Sequence, residues 1–97
     1  MFLEIVNPET VLFSSKVDSV TVPGKNGEFQ MLNNHAPLVS TLTKGIVKIV
    51  LSAKNNLAYN NLHSAFNKLP TDDKILTLKI TSGVVEVEKN KVIILIN

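Results

Sequence analysis

The stretch Ile75-Leu76-Thr77-Leu78-Lys79-Ile80-Thr81-Ser82-Gly83-Val84-Val85-Glu86-Val87-Glu88-Lys89-Asn90-Lys91-Val92-Ile93-Ile94-Leu95-Ile96 decides the fold class. Ile75 to Ile80, Val84 to Glu88 and Val92 to Ile96 are three short runs rich in β-branched and large apolar residues, the composition that suits a pleated, half-buried surface. Lys89-Asn90-Lys91 is short enough to join the last two as a hairpin, with Asn90 as its turn residue. Thr81-Ser82-Gly83 marks the other break, where glycine allows a bulge or tight bend that a side chain would obstruct. Glu86 and Glu88 fall on one strand face, which the alternation predicts to be exposed.

The same rhythm extends back to the start of the chain. Phe2 to Val6 reads as a strand stopped by Asn7-Pro8, because proline cannot donate to a ladder and biases its predecessor toward extended geometry. Val11 to Phe13 begins the next strand. Val17 to Val22 sets Asp18, Val20 and Val22 on one face against Val17, Ser19 and Thr21 on the other, and Pro23-Gly24 ends it. Gly27 to Leu32, Leu38 to Leu42 and Ile46 to Leu51 are further candidates, the last with Val47, Ile49 and Leu51 opposite Ile46, Lys48 and Val50. Strands this short, separated by turn residues, predict an all-β sandwich or barrel. One segment departs from the rhythm. Ala53 to Lys74 is polar and asparagine-rich, and Leu57, Leu62, Ala65, Phe66 and Leu69 fall near a helical stripe. This predicts an insertion holding a short helix from about Leu57 to Lys68, ended by Pro70-Thr71-Asp72-Asp73; the rival reading, favoured by the poor helix propensity of the paired asparagines, is a long disordered hairpin loop.

Length and composition bound the function. The 97 residues make a single domain, 1–97, that buries about two-thirds of its unfolded-chain surface without a disulfide or metal. The chain has no cysteine, which excludes thiolate chemistry and cysteine zinc sites. The longest apolar run, Val92 to Ile96, is far below the roughly 20 residues of a membrane span, so no direct membrane insertion is expected. Met1-Phe2-Leu3-Glu4 carries no export signal, which implies a cytosolic origin. The formal charge is +2, but every cation is a lysine, spread between the carboxylates from Lys16 to Lys91. Without arginine, a basic stripe or interleaved aromatics, nucleic acid is excluded as a partner.

Catalytic candidates are sparse. His35 lies beside Asn33 and Asn34 with no nucleophile motif, and a single loop histidine more often packs or hydrogen-bonds. His63 lacks a ligand at helical spacing. Asp72-Asp73 sits in a loop beside proline. Gly24-Lys25-Asn26-Gly27 is a turn, since no Gly-Lys-Ser/Thr follows it and no helix begins there. No catalytic, metal or cofactor residues are assigned.

What remains is a binding or structural module. Its most informative part is Val22 to Leu38, with turn glycines, a lone carboxylate at Glu28, a lone imidazole at His35 and a rigid Ala36-Pro37 step. Leu3 to Glu9, the Gly-x-x-Gly-Glu turn at Gly24 to Glu28, His-Ala-Pro-Leu at His35 to Leu38 and Gly-x-Val-Glu-Val at Gly83 to Val87 follow the order and spacing of the amino-terminal β domain of F-type ATP synthase epsilon subunits. The chain resembles that family over nearly its whole length except Ala53 to Lys74. Gln30 stands where the family usually has glycine, and Asn33-Asn34 replace its Pro-Gly, although Asn34 can still adopt the left-handed conformation.

The resemblance implies an all-β, flattened β-sandwich of about eight to ten strands, and a non-catalytic central-stalk subunit that joins the gamma subunit to the c-ring and turns with them as proton flow drives ATP synthesis. It would be peripheral, on the cytoplasmic face of the bacterial inner membrane. Gly27, Glu28 and Phe29 would face the polar loops of the ring, and His35, Ala36, Pro37, Leu38 and Ser40 would lie near gamma. The family's carboxy-terminal helical pair has no counterpart in these 97 residues, so inhibition by that route is not expected. The rival classes are a free-standing β-sandwich that binds a ligand or peptide, which should cluster its aromatics, and a small hydrolase that depends on His35.

Overall fold

The computed structural model describes residues 1–52 and 65–97. Nine strands follow in order: β1 (Phe2–Val6), β2 (Val11–Gly24), β3 (Gly27–Leu32), β4 (Leu38–Leu42), β5 (Gly45–Leu51), β6 (Phe66–Leu69), β7 (Asp72–Ile80), β8 (Gly83–Glu88) and β9 (Lys91–Ile96). They form one hydrogen-bonded network in the order β1-β9-β8-β4-β2-β5-β7-β6, with β3 also paired to β2 and β1 pairing back onto β2. All pairs are antiparallel except β1 with β9.

Strand β2 turns this network into two layers. Its first half pairs with β1, its second half pairs with β3 on one side and β5 on the other, and the register shifts between Val17 and Ser19. A bulge of this kind bends a strand and resets which side chains face inward. Phe13 and Val17 point into the core before it, and Val20 and Val22 after it, all buried. This corrects the simple alternation, which put Asp18 on the face of Val20 and Val22; Asp18 is exposed. The sequence also suggested two strands here, where one bent strand serves both layers.

One layer therefore holds the first half of β2 with β1, β9, β8 and β4, and the other holds β3, the second half of β2, β5, β7 and β6. Their inner faces meet in one cluster that includes Leu3, Ile5, Phe13, Val20, Met31, Ile49, Leu76, Leu78, Val85 and Ile94. Ser19 is the only buried polar residue among those described.

Residues 66–74 differ from expectation. Phe66 to Lys68, assigned to the end of a helix, belong to edge strand β6, and Asp72 to Lys74 belong to β7. Phe66 pairs with Leu78 and sets its half-buried ring 5.9 Å from that of Phe13, so contacts with residues distant in the chain place this segment in the sheet. Pro70-Thr71 form the hairpin turn, and the Asp72 carboxylate accepts from the Lys74 amide at 2.9 Å. The remainder of the expected helix, Leu57 to Ser64, lies outside the described residues, as does His63.

Turn chemistry behaves as its residue types dictate. The Asn7 side-chain carbonyl accepts from the amides of Glu9 and Thr10 at 2.9 and 2.8 Å. Lys89 and Asn90 both have positive φ, 51° and 61°, the signature of a two-residue type I′ hairpin. Gly83 is in register with Ile96, without a bulge; it is glycine because a Cβ there would come within 2.6 Å of the Leu95 carbonyl oxygen. Gly83→Val is therefore expected to cost about 1–3 kcal/mol despite the β propensity of valine. A urea midpoint equal to wild type would show that the two strands separate freely at this point.

Candidate interaction surface

The residues singled out in the sequence lie at the two ends of β3. At one end, Lys25 and Asn26 connect Gly24 to Gly27, and Gly27 carries the positive φ, 123°, as in a hairpin whose turn is followed by a glycine bulge. The Lys25 amide donates to the Thr41 carbonyl at 3.2 Å and the Thr43 amide to the Pro23 carbonyl at 2.9 Å. These two bonds tie the hairpin to the end of β4. Glu28, opposite Pro23, is exposed. Phe29 is half-buried, packs against the core and covers Gly24, where a Cβ would lie 2.7 Å from its ring. Gly27 and Glu28 are thus presented outward, and Phe29 holds them from beneath.

At the other end, about 17 Å away along a six-residue strand, the loop from Asn33 to Pro37 is held by asparagine side chains. The Asn90 carbonyl oxygen Oδ1 accepts from the Asn34 amide at 2.8 Å, and Asn90 Nδ2 donates to Asn33 Oδ1 at 2.9 Å. Asn33 Oδ1 also accepts from the Met1 amino group at 2.9 Å. Asn34 sits at φ 62°, the left-handed conformation for which asparagine is among the better-suited side chains. Gln30, by contrast, is an ordinary strand residue opposite Thr21, where a glycine is not needed. The asparagine pair thus replaces backbone flexibility with side-chain anchoring to the β8–β9 hairpin. Asn90 was legible only as a turn residue; its contact across 56 residues leaves no local signal.

His35 is half-exposed. Its amide donates to the Leu32 carbonyl at 3.2 Å and its Nδ1 lies 2.7 Å from the Ala36 carbonyl. A carbonyl can only accept, so Nδ1 carries a proton. This is the hydrogen-bonding role expected of a lone loop histidine. Ala36 and Pro37 are exposed, Leu38 and Ser40 half-buried. The structure does not bring Glu28 and His35 together; it does bring Ser40 and Thr41 back toward the Gly27 hairpin, because β4 returns alongside. Among the described residues no three His, Asp or Glu side chains gather as metal ligands, and no helix is long and apolar enough to cross a membrane.

A third feature was missed in the sequence. On the outer face of the β1 layer the register sets Thr41, Val84, Leu95, Val6 and Val11 in one row across five strands. Val84, Leu95 and Val11 are 38%, 51% and 54% exposed. The signal was present in the uninterrupted apolar run Val92 to Ile96, since a strand that is apolar on both faces expects cover on both.

The comparisons place this architecture. The family described as ATP synthase, Delta/Epsilon chain, beta-sandwich domain, matches residues 1–66. The ATP synthase epsilon chain of Campylobacter hominis is 36% identical over 97 residues, covering all of this chain and 61% of the relative. That of Chlorobaculum tepidum is 37% identical over 93 residues, covering 96% of this chain and 84% of the relative. The chain thus spans about three-fifths of the first relative's length and more of the second's. Among solved structures, a chain in the central stalk/c-ring of the Tetrahymena thermophila mitochondrial ATP synthase aligns with TM-score 0.68 at 15% identity, covering 98% of this chain and 61% of that one. A chain of the Euglena gracilis mitochondrial enzyme aligns with TM-score 0.69 at 18% identity, covering 97% and 48%. At such identities these two structures speak for the fold alone, whereas the family match and the bacterial relatives establish descent. The chain belongs to the ATP synthase epsilon family, through its β-sandwich domain.

Proposed function

We propose that the chain is a non-catalytic central-stalk subunit of a proton-translocating ATP synthase, a single domain that joins gamma to the c-ring on the cytoplasmic face of a bacterial membrane. The observation that carries this is the placement of Glu28 and the His35–Leu38 loop at opposite ends of β3, each tied by hydrogen bonds to a neighbouring strand. A subunit that transmits torque needs two contact surfaces on one stiff body. A continuous sheet folded over a single core supplies that stiffness, because close-packed interiors transmit strain. Glu28 would meet the polar loops of the ring and His35 to Ser40 would lie near gamma. The same fold occurs in a central stalk with its c-ring and in an F1/c-ring assembly, settings that agree with this reading.

Copurification tests it. The chain is expected to be retained by a tagged c-ring or gamma subunit, to show a β-type circular dichroism spectrum, and to hydrolyse no ATP alone. Failure to associate with either partner would leave the alternative of a free-standing binding module. That alternative has less support: a depression of about 300 Å³ on the outer face is lined by Glu86, Glu88, Lys89, Lys91 and Ile93, with no aromatic side chain among them, unlike a typical ligand pocket.

Segment 53–64 raises a separate prediction. Residues 66–74 are part of the sheet, so a glycine linker should replace 53–64 only. ATP hydrolysis by the assembled catalytic complex is expected to be the same with the natural segment and with the linker. A marked rise on replacement would identify the segment as a regulatory element.

A further inference from the structure

Asn90 ties together three segments that are distant in the chain. Its main-chain carbonyl accepts from the Phe2 amide at 3.1 Å, at the start of β1. Its side chain reaches the loop between β3 and β4, where Oδ1 accepts from the Asn34 amide and Nδ2 donates to Asn33 Oδ1. Asn33 Oδ1 in turn accepts from the Met1 amino group. Both ends of one carboxamide are thus engaged, and both by the same loop.

That loop has little else to hold it. Its other hydrogen bonds are local, from the His35 amide to the Leu32 carbonyl and from His35 Nδ1 to the Ala36 carbonyl. Asn33, Asn34, Ala36 and Pro37 are exposed, so burial does not fix them, and only half-buried Leu38 packs against the core. Among the described residues, the hydrogen bonds that attach Asn33 to Pro37 to a distant part of the molecule all end on Asn90 or Met1.

Asn90 is also a turn residue, and its two roles are separable. At φ 61°, after Lys89 at 51°, it holds the second central position of the type I′ turn, where glycine is at least as well suited. A glycine there would keep the hairpin but bring no carboxamide to the loop. The hairpin by itself does not call for this side chain; the loop does.

Resting on the function proposed above, we infer that Asn90 is a positioning residue for gamma binding, which holds the His35–Leu38 loop in its binding arrangement from the neighbouring hairpin. A loop already held in that arrangement loses less freedom on association. Without the anchor, apparent affinity falls with the fraction of time the loop spends there, so a loop correctly placed about a tenth of the time binds roughly tenfold more weakly. The Gly27 hairpin at the other end of β3 has bonds of its own, so the effect is confined to the gamma side.

The experiment compares the full wild-type chain with Asn90→Gly, Asn33→Ala and the double variant. It measures exchange of the Asn34 amide proton, affinity for the gamma-containing catalytic complex and retention by the c-ring. Asn90→Gly is expected to keep the melting temperature within about two degrees of wild type and to leave ring retention unchanged. It should speed Asn34 exchange about tenfold or more and weaken gamma binding roughly tenfold. Asn33→Ala should weaken gamma binding as well, and the double variant should fall below Asn90→Gly by no more than about twofold, because both substitutions break one linkage. Wild-type exchange at Asn34 in Asn90→Gly would show that the side chain does not hold the loop. Faster exchange with wild-type affinity would show that gamma does not need the loop held. Either result overturns the inference and leaves the proposed function standing. Losses that multiply in the double variant would mean that Asn33 and Asn90 each touch gamma independently, which also overturns it. Should the wild-type chain fail to bind gamma at all, the functional reading falls, and the inference with it.

Discussion

Ile94→Ala should lower stability by about 2–5 kcal/mol, whereas Leu95→Ala, one residue along the same strand, should change it by less than about 0.5 kcal/mol. Ile94 is fully buried and pairs with Ile5 on one side and Val85 on the other. Truncating it opens a cavity between the layers at their middle, where β1 is already constrained by strands on both sides and cannot relax into the space. Leu95 faces outward at 51% exposure. A strand this uniformly apolar has little in its own sequence to fix which residues point inward, and a slip of one residue would exchange the two faces. Comparable losses for both substitutions in urea unfolding would show that the register of β9 is not the one described. A domain of this size has about 5–15 kcal/mol of stability in total, so the expected loss is large enough to shift the unfolding midpoint far outside experimental error.

The strands that could be read directly were those bounded by local chemistry. Phe2–Val6 ends at Asn7-Pro8, Gly27–Leu32 begins at a turn glycine, and the β8–β9 hairpin turns at Asn90; each signal lies within a few residues of the boundary it sets. The misplacements have nonlocal causes. Whether β2 is two strands or one depends on a bulge whose partner is β5, about thirty residues on. Phe66 belongs to a strand in which it packs, half-buried, beside Phe13 and pairs with Leu78, and nothing near it in sequence announces either neighbour. The same division holds for the surface. Exposure of Glu28 follows from its place beside a tight turn, and its strand and turn residues are adjacent in the chain. The outer apolar strip exists only because β9 pairs in parallel with β1, a pairing between the two ends of the chain that no periodicity discloses. Asparagine served twice, as a local turn former at Asn7 and as a long-range anchor at Asn90, and only the first use is visible in a window.

Glu28→Arg should weaken attachment to the c-ring tenfold or more at low salt while leaving the fold intact. The residue is exposed on edge strand β3, opposite Pro23, so its side chain supports no buried contact and its reversal should move the melting temperature by no more than a degree or two. The effect on attachment comes from position. The turn that precedes Glu28 is fixed by Gly27 at φ 123° and by the bonds from Lys25 to Thr41 and from Thr43 to Pro23, so a charge placed there cannot swing away from its partner by moving the loop. In the proposed stalk that partner is a basic group on a polar ring loop, and reversal replaces attraction with repulsion. Exposed charges are screened over about 8–10 Å at ordinary ionic strength. The deficit should therefore shrink as salt is raised from roughly 0.01 to 0.5 M, and wild type and variant should converge. Proton-driven ATP synthesis by the assembled enzyme should fall with the attachment and recover in part with Glu28→Gln, which removes the attraction without adding repulsion. Unaltered ring binding and unaltered synthesis in the Arg variant would reduce Glu28 to a solvated turn residue and move the ring contact elsewhere on the Gly27 hairpin.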